Sequence, residues 1–477
     1  MFAKATKNSS SCPRRRASGF LNFLGSRFRG NDGIDFARHA VKRLLLLLTV
    51  CFSLPAWAGL NIQHWSTPQG ARVYFVENHD LPMLDVSVDF SAGSARDSAD
   101  RSGLAALTHQ LMNLGAGPYS ERDISDRLAD TGAVLSGRLD ADRAGFILRS
   151  LSSRAERDQA VALLAAILAK PHFDKTVLER EKARDIANLK EAETKPEVIG
   201  EKAFQKAIYG AHPYGLSDSG EIDTLARLGR DELIGFHRLY YRANNMTIAV
   251  MGDLSRAEAE AIAVRLAADL PGGAAPSPIP SVQPADKGSE QTLPHPATQS
   301  HLFIGMPGLK REDPDYFPLY VGNYVLGGGG FDSRLMESIR QKKGLAYSVY
   351  SYFMPMQELG PFMLGLQTRR DTTDEAVALA RAEVARYLAE GPTEAELEQA
   401  RNNLTGGFPL RIDSNKKILE YLAVIGFYRL PLDWLDTYTG KVAAVTRDAV
   451  LRAFRARVRP QAMSTVIVGG QIASQAK

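Results

Sequence analysis

The stretch FDSRLMESIRQKKGLAYSVYSYF, residues 331–353, follows directly on four glycines, Gly327 to Gly330. Its pattern changes midway. Leu335, Met336 and Ile339 recur at helical spacing. Asp332 or Ser333 can cap that helix, because a short polar side chain accepts from the free N–H groups of the first turn. Lys342, Lys343 and Gly344 form a stop: cations in the last turn, then a residue that tolerates positive φ. From Leu345 onward the residues are aromatic and β-branched, which suits a strand. The predicted unit is helix, tight turn, strand. It sets Arg340 near a helix C-terminus and Tyr347 early in the strand. A fixed cation and a phenol on one such unit could grip a peptide carbonyl. Equally, Arg340 could neutralise the helix end while Tyr347 packs, and spacing alone does not choose.

Around this unit the chain reads as α+β. In the first part, residues 60–66, 70–76, 84–90, 144–151 and 246–251 read as strands, and 102–114, 121–132, 154–170, 175–194 and 223–239 as helices. Residues 271–296 are rich in Pro, Gly, Ser and Ala without periodicity, which predicts a linker. The pattern then restarts, with strands at 300–306, 360–368 and 463–468 and helices at 314–326, 373–390, 393–404 and 414–427. The two parts end alike, MTIAVMGDL from Met246 and MSTVIVGGQ from Met463, which predicts a duplicated α+β domain. The expected division is a leader over 1–58, an N-terminal domain over 59–270, a linker over 271–296 and a C-terminal domain over 297–477.

The formal net charge of +4 belongs to the leader. Residues 1–58 hold ten Lys and Arg and two acids, leaving 48 basic against 52 acidic residues in the remainder. Nothing here resembles the clustered basic face that nucleic acid requires. Residues 38–58 read as a secretory signal: Arg38, Lys42 and Arg43, an 11-residue apolar run over 44–54, and the small-x-small site Ala56-Trp57-Ala58. The run is short for a bilayer helix, so cleavage before Gly59 is expected rather than a retained membrane anchor. Both cysteines, Cys12 and Cys51, fall in the leader, so the exported chain would carry no thiol.

The segment GGGGFDSRLMESIRQKKGLAY resembles the arginine–tyrosine segment of the pitrilysin/insulinase zinc metallopeptidases, with one extra glycine in front. RSGLAALTHQLMNLGAG, IYGAHPYG and NNMTIAVMGDL resemble further stretches of that family in the expected order, so the likeness runs over about residues 60–470. It implies a clamshell-type half built from two homologous α+β domains of the LuxS/processing-peptidase kind. It also implies that Arg340 and Tyr347 bind substrate and stabilise the transition state.

The same resemblance exposes a departure. Family members hold zinc with H-x-x-E-H on a helix, the Glu activating the bound water. Here the two His positions are Ala106 and Gln110, and the Glu position is His109. The distal Glu ligand falls at Asn188 or Ala187, with Asp185 and Glu181 about one and two turns earlier. None of the nine histidines lies four residues from another, and there is neither a G-x-S-x-G elbow nor a P-loop. His109 is expected to be a helix-face histidine and His212 a turn residue, with no metal held by this chain. The resemblance implies a periplasmic, non-zinc subunit of a bacterial heterodimer. A paralogous H-x-x-E-H partner would hold the zinc, and unfolded peptides would be the substrates. A peptide-binding or scaffolding protein without a catalytic partner is the alternative.

Overall fold

The computed structural model describes residues 60–469. The leader with its signal, both cysteines and the expected start at Gly59 lie outside the described residues.

The first half runs β1 (Gln63–Ser66), β2 (Arg72–Glu77), β3 (Met83–Phe90), α1 (Leu104–Met112), α2 (Glu121–Asp130), β4 (Val134–Leu139), β5 (Ala144–Leu151), α3 (Arg154–Ala169), α4 (Lys175–Ala192), α5 (Pro196–Tyr209), α6 (Ile222–Arg227), α7 (Arg230–Tyr240), β6 (Met246–Gly252) and α8 (Arg256–Ala268). The second half runs β7 (Glu290–Leu293), β8 (Gln299–Leu309), α9 (Tyr316–Asn323), a motif helix (Met336–Gln341), β9 (Ala346–Phe353), β10 (Gly360–Arg369), α10 (Thr373–Glu390), α11 (Glu394–Gly406), α12 (Asn415–Phe427), α13 (Trp434–Ala443), α14 (Arg447–Arg457) and β11 (Ser464–Val468).

The strand orders are β1-β2-β6-β3-β5-β4 and β7-β11-β8-β10-β9. Without β1 the two sheets follow one path. In each, the first strand pairs in parallel with the last, and the other pairs are antiparallel. The similar endings at Met246 and Met463 thus become β6 and β11, at equivalent places. Within the segment expected as a linker, β7 joins the second sheet, and Ile279 and Val282 are buried.

Each half lends a helix to the other. One face of the first sheet, with Val73, Val86 and Ile248, packs on α1, α3, α7 and α8. Its other face, with Tyr74 and Met251, is covered by α12, which supplies Leu419, Leu422 and Ile425. Reciprocally, α5 lays Phe204 and Ile208 on Phe303 and Val466 of the second sheet. A glycine marks each crossing: a Cβ at Gly426 would come 2.6 Å from the Tyr74 ring, and one at Gly200 would come 2.2 Å from Phe303. Only a hydrogen at Cα permits such close approach.

One carboxylate ties the crossing together. Asp142, between β4 and β5, accepts from the Tyr214 hydroxyl at 2.5 Å, the Tyr428 hydroxyl at 2.8 Å and the Gln357 N–H at 2.7 Å. Tyr214 follows α5, Tyr428 ends α12, and Gln357 lies between β9 and β10. Asp142 is 1% exposed, and that burial raises its pKa against the opposing pull of its donors. Truncation would leave three buried donors unpaired, each costing about 1–3 kcal/mol. Asp142→Ala is therefore expected to lower the unfolding free energy by about 3 kcal/mol or more. Urea titration followed by circular dichroism measures this; a loss below about 1 kcal/mol would contradict the assigned role.

Candidate functional site

The motif unit forms as helix, turn and strand, with wider winding than its spacing predicts. Residues Tyr324–Gly328 and Met336–Gln341 wind with i to i+5 bonds, seen in Gly329 N–H to Tyr324 O at 2.8 Å and Lys342 N–H to Glu337 O at 2.9 Å. Gly327 lies against β9; a Cβ there would stand 2.3 Å from Ser351 Oγ. The expected side-chain cap is not made. The Ser333 hydroxyl turns back to donate to Gly330 O at 2.7 Å, and Asp332 accepts from Gln399 at 3.1 Å. The helix start is anchored instead by Arg334, whose guanidinium forks onto Glu396 at 2.7 Å from both Nε and Nη2. Its C-terminus ends as expected: Gly344 takes φ +64, its N–H donates to Arg340 O at 2.8 Å, and Leu345 N–H donates to Ile339 O at 3.0 Å.

This turn brings Arg340 and Tyr347 together. The Arg340 guanidinium lies 4.6 Å from the Tyr347 ring centroid and 4.7 Å from that of Phe331. Phe331 is 63% and Tyr347 81% exposed. Gln341 holds the Phe331 carbonyl at 2.8 Å. Among the described residues no carboxylate pairs with Arg340. Two aromatic faces orient the cation, a contact worth about 0.5–1 kcal/mol at an exposed site. Cation–ring contact consumes none of the five guanidinium N–H donors. Phe331 was not singled out from the sequence; its place just before the helix was the available sign.

The α1 helix carries the other expected positions. Ala106 offers a methyl group. His109 turns into the core, where its Nε2 lies 2.7 Å from Gly145 O and its ring stacks on Phe146 at 4.7 Å. Burial lowers its pKa and favours the neutral ring, so Nε2 carries the proton and donates. Gly137 makes room, since a Cβ there would lie 2.5 Å from the imidazole. Gln110 donates to Glu181 at 3.0 Å and lies 3.4 Å from Asp185. Glu181, 1% exposed, also pairs with Arg180 at 2.8 Å and with Arg184. Asn188 and Ala187 are exposed further along α4. A zinc site needs convergent ligand atoms about 2 Å from one point. A methyl group, a committed amide and an inward imidazole do not fit that requirement. Among the described residues no group of three or more His, Cys, Asp or Glu is arranged to hold a metal. His212 stands in its turn, accepting from Tyr214 N–H at 3.1 Å while its Nε2 meets Pro280 O at 2.7 Å.

A two-half α+β architecture with paired sheets of this topology is that of a metallopeptidase-like protein. Residues 72–220 match the family described as Insulinase (Peptidase family M16), and residues 227–404 match Peptidase M16 inactive domain. The chain is similar to the non-peptidase homolog YmxG of Helicobacter pylori, at 27% identity over 433 residues, 90% of this chain and 98% of that protein. It is also similar to an uncharacterized zinc protease of Bacillus subtilis, at 25% identity over 74% of this chain and 85% of that one. A crystal structure of a peptidase M16 inactive domain from Pseudomonas fluorescens superposes with a TM-score of 0.84 at 36% identity, over 87% of this chain and 99% of that chain. The chain belongs to the M16 peptidase family. Among its described residues no helix is long and apolar enough to cross a membrane.

The start of α1 gives a pH-dependent outcome. Asp97 accepts from Gly103 N–H at 2.8 Å and Ala105 N–H at 2.9 Å. Burial outweighs these bonds and, with Asp218 nearby, pushes its pKa up to about 7 from 3.8. Between those values the folded chain holds a proton that the unfolded chain has released. This contribution is full below pH 3.8 and is lost as pH rises through about 7. The unfolding free energy of the wild type minus that of Asp97→Asn should therefore fall as pH rises across that window, as chemical denaturation at a series of pH values measures. A difference that grows with pH would contradict it.

Proposed function

We propose that this chain is the substrate-binding, non-zinc subunit of a periplasmic M16 endopeptidase. It would complete the active site of a separate H-x-x-E-H chain, and the signal-like sequence at residues 38–58 supports that location. One observation carries the reading: Arg340 is oriented between two exposed aromatic rings and has no carboxylate partner among the described residues, while the positions that would hold metal are filled with core and amide contacts.

In this reading the zinc and the water it activates belong to the partner. The Tyr347 hydroxyl donates to the oxyanion that develops on the scissile carbonyl. The N–H groups of Arg340 hold a neighbouring carbonyl of the same peptide. Both acceptors are backbone groups, which suits unfolded peptides of varied sequence. A donor aimed at a developing oxyanion is typically worth about a hundred- to a thousandfold in turnover.

Tyr347→Phe removes the hydroxyl and keeps the ring over Arg340. In the mixed complex it is expected to lower kcat on a quenched unstructured peptide by about a hundredfold or more. Assembly, followed by size-exclusion chromatography, should be unchanged because the substitution removes one hydroxyl and keeps the ring. Unaltered turnover in an intact complex would refute the assigned role.

A further inference from the structure

Beyond the motif unit, a cavity of about 430 Å³ lies between the two halves. Five cations line it, Arg72, Arg96, Lys310, Arg311 and Arg429, against two carboxylates, Glu312 and Glu358. Two of the cations are committed. Lys310 pairs with Glu358 at 2.7 Å, and Arg96 donates to the Ser91 hydroxyl at 2.6 Å and to Ser277 O at 2.5 Å. The remaining three arginines have no carboxylate partner among the described residues.

Their surroundings are those of an anion site. Arg72 donates from Nη2 to Thr247 at 2.7 Å, but its Nε is buried without a partner. Arg311 likewise has a buried, unpartnered Nε, and its guanidinium lies 4.9 Å from the Tyr428 ring centroid. Burial, and then the charge of Arg429, hold the pKa of Arg72 below its ordinary value. Arg429 is exposed and adopts φ +54, a left-handed conformation that costs a non-glycine residue about 1 kcal/mol or more. Like charges brought together repel, and an anion seated among them would offset that repulsion.

We propose that this cavity binds a compact phosphoryl anion carrying at least two negative charges. A single carboxylate, such as a peptide C-terminus, would leave most of the positive charge unbalanced. The planar guanidinium fork matches phosphoryl oxygens in pairs. The volume accommodates inorganic pyrophosphate or a small phosphate ester.

The full chain, purified in phosphate-free buffer, is titrated calorimetrically with inorganic pyrophosphate and, separately, with adenosine diphosphate. Pyrophosphate is expected to bind one-to-one, with affinity falling about tenfold or more in Arg72→Gln or Arg311→Gln and falling steeply with added salt. Comparable binding of adenosine diphosphate would identify an ester as the source, and its exclusion would identify the free anion. Arg429→Gln, a change at an exposed residue, gives a readout that does not depend on a buried substitution. It should raise Tm in the absence of anion by removing repulsion, and it should reduce the Tm gain produced by pyrophosphate. Arg340→Gln should bind pyrophosphate like the wild type. Absence of binding to the wild type at millimolar pyrophosphate, or binding indifferent to Arg72 and Arg311, would overturn the proposal.

Discussion

The structure depends on the reciprocal crossing of α5 and α12, locked at Asp142. Neither sheet buries both of its faces with helices of its own half. The first sheet needs α12 and the second needs α5, and each crossing is close enough to demand glycine, at Gly426 and Gly200. Asp142 then gathers a tyrosine from the end of each crossing together with the Gln357 N–H of the β9–β10 connection. The constraint reaches the candidate site through the second sheet. β9 and β10 are paired, so the connection that Asp142 grips leads directly into the strand that carries Tyr347.

In the first half α1 is held by specific contacts at its start and along its length. Asp97 secures the start of α1, and Gln110 faces the acidic side chains of α4. His109 packs as a core residue, with Gly137 shaped around it. The contacts of Ala106, His109 and Gln110 are consistent with one another and with the packing of this half.

Much of this was legible in the sequence. β6 is an apolar run buried along its length, β3 alternates Leu84, Val86, Val88 and Phe90 with Asp85, Ser87 and Asp89, and the matching ends at Met246 and Met463 mark equivalent strands. The motif unit and its glycine stop followed from period and spacing, whereas the pairing of Arg340 with Tyr347 as a site came only from the resemblance of the segment to a known family. What escaped depends on distant partners. Gly200 interrupts α5 for a reason that lies at Phe303, about a hundred residues away, and Pro196 further obscures the pattern. β4 has Ser136, Gly137 and Arg138 at its centre, and its glycine is explained only by the ring of His109. α8, α13 and α14 were not anticipated, and α8 alternates Ala and Glu with little separation of faces. The close approach of Gly327, in the first wide turn, to Ser351 is a contact that no local rule contains.

The most direct test of the account is peptidase activity on a quenched unstructured peptide, with zinc analysis, for this chain alone and for its mixture with an H-x-x-E-H paralogue from the same genome. The account predicts cleavage in the mixture beyond that of the paralogue alone, with zinc on the paralogue. Stoichiometric zinc and cleavage by this chain alone would contradict it.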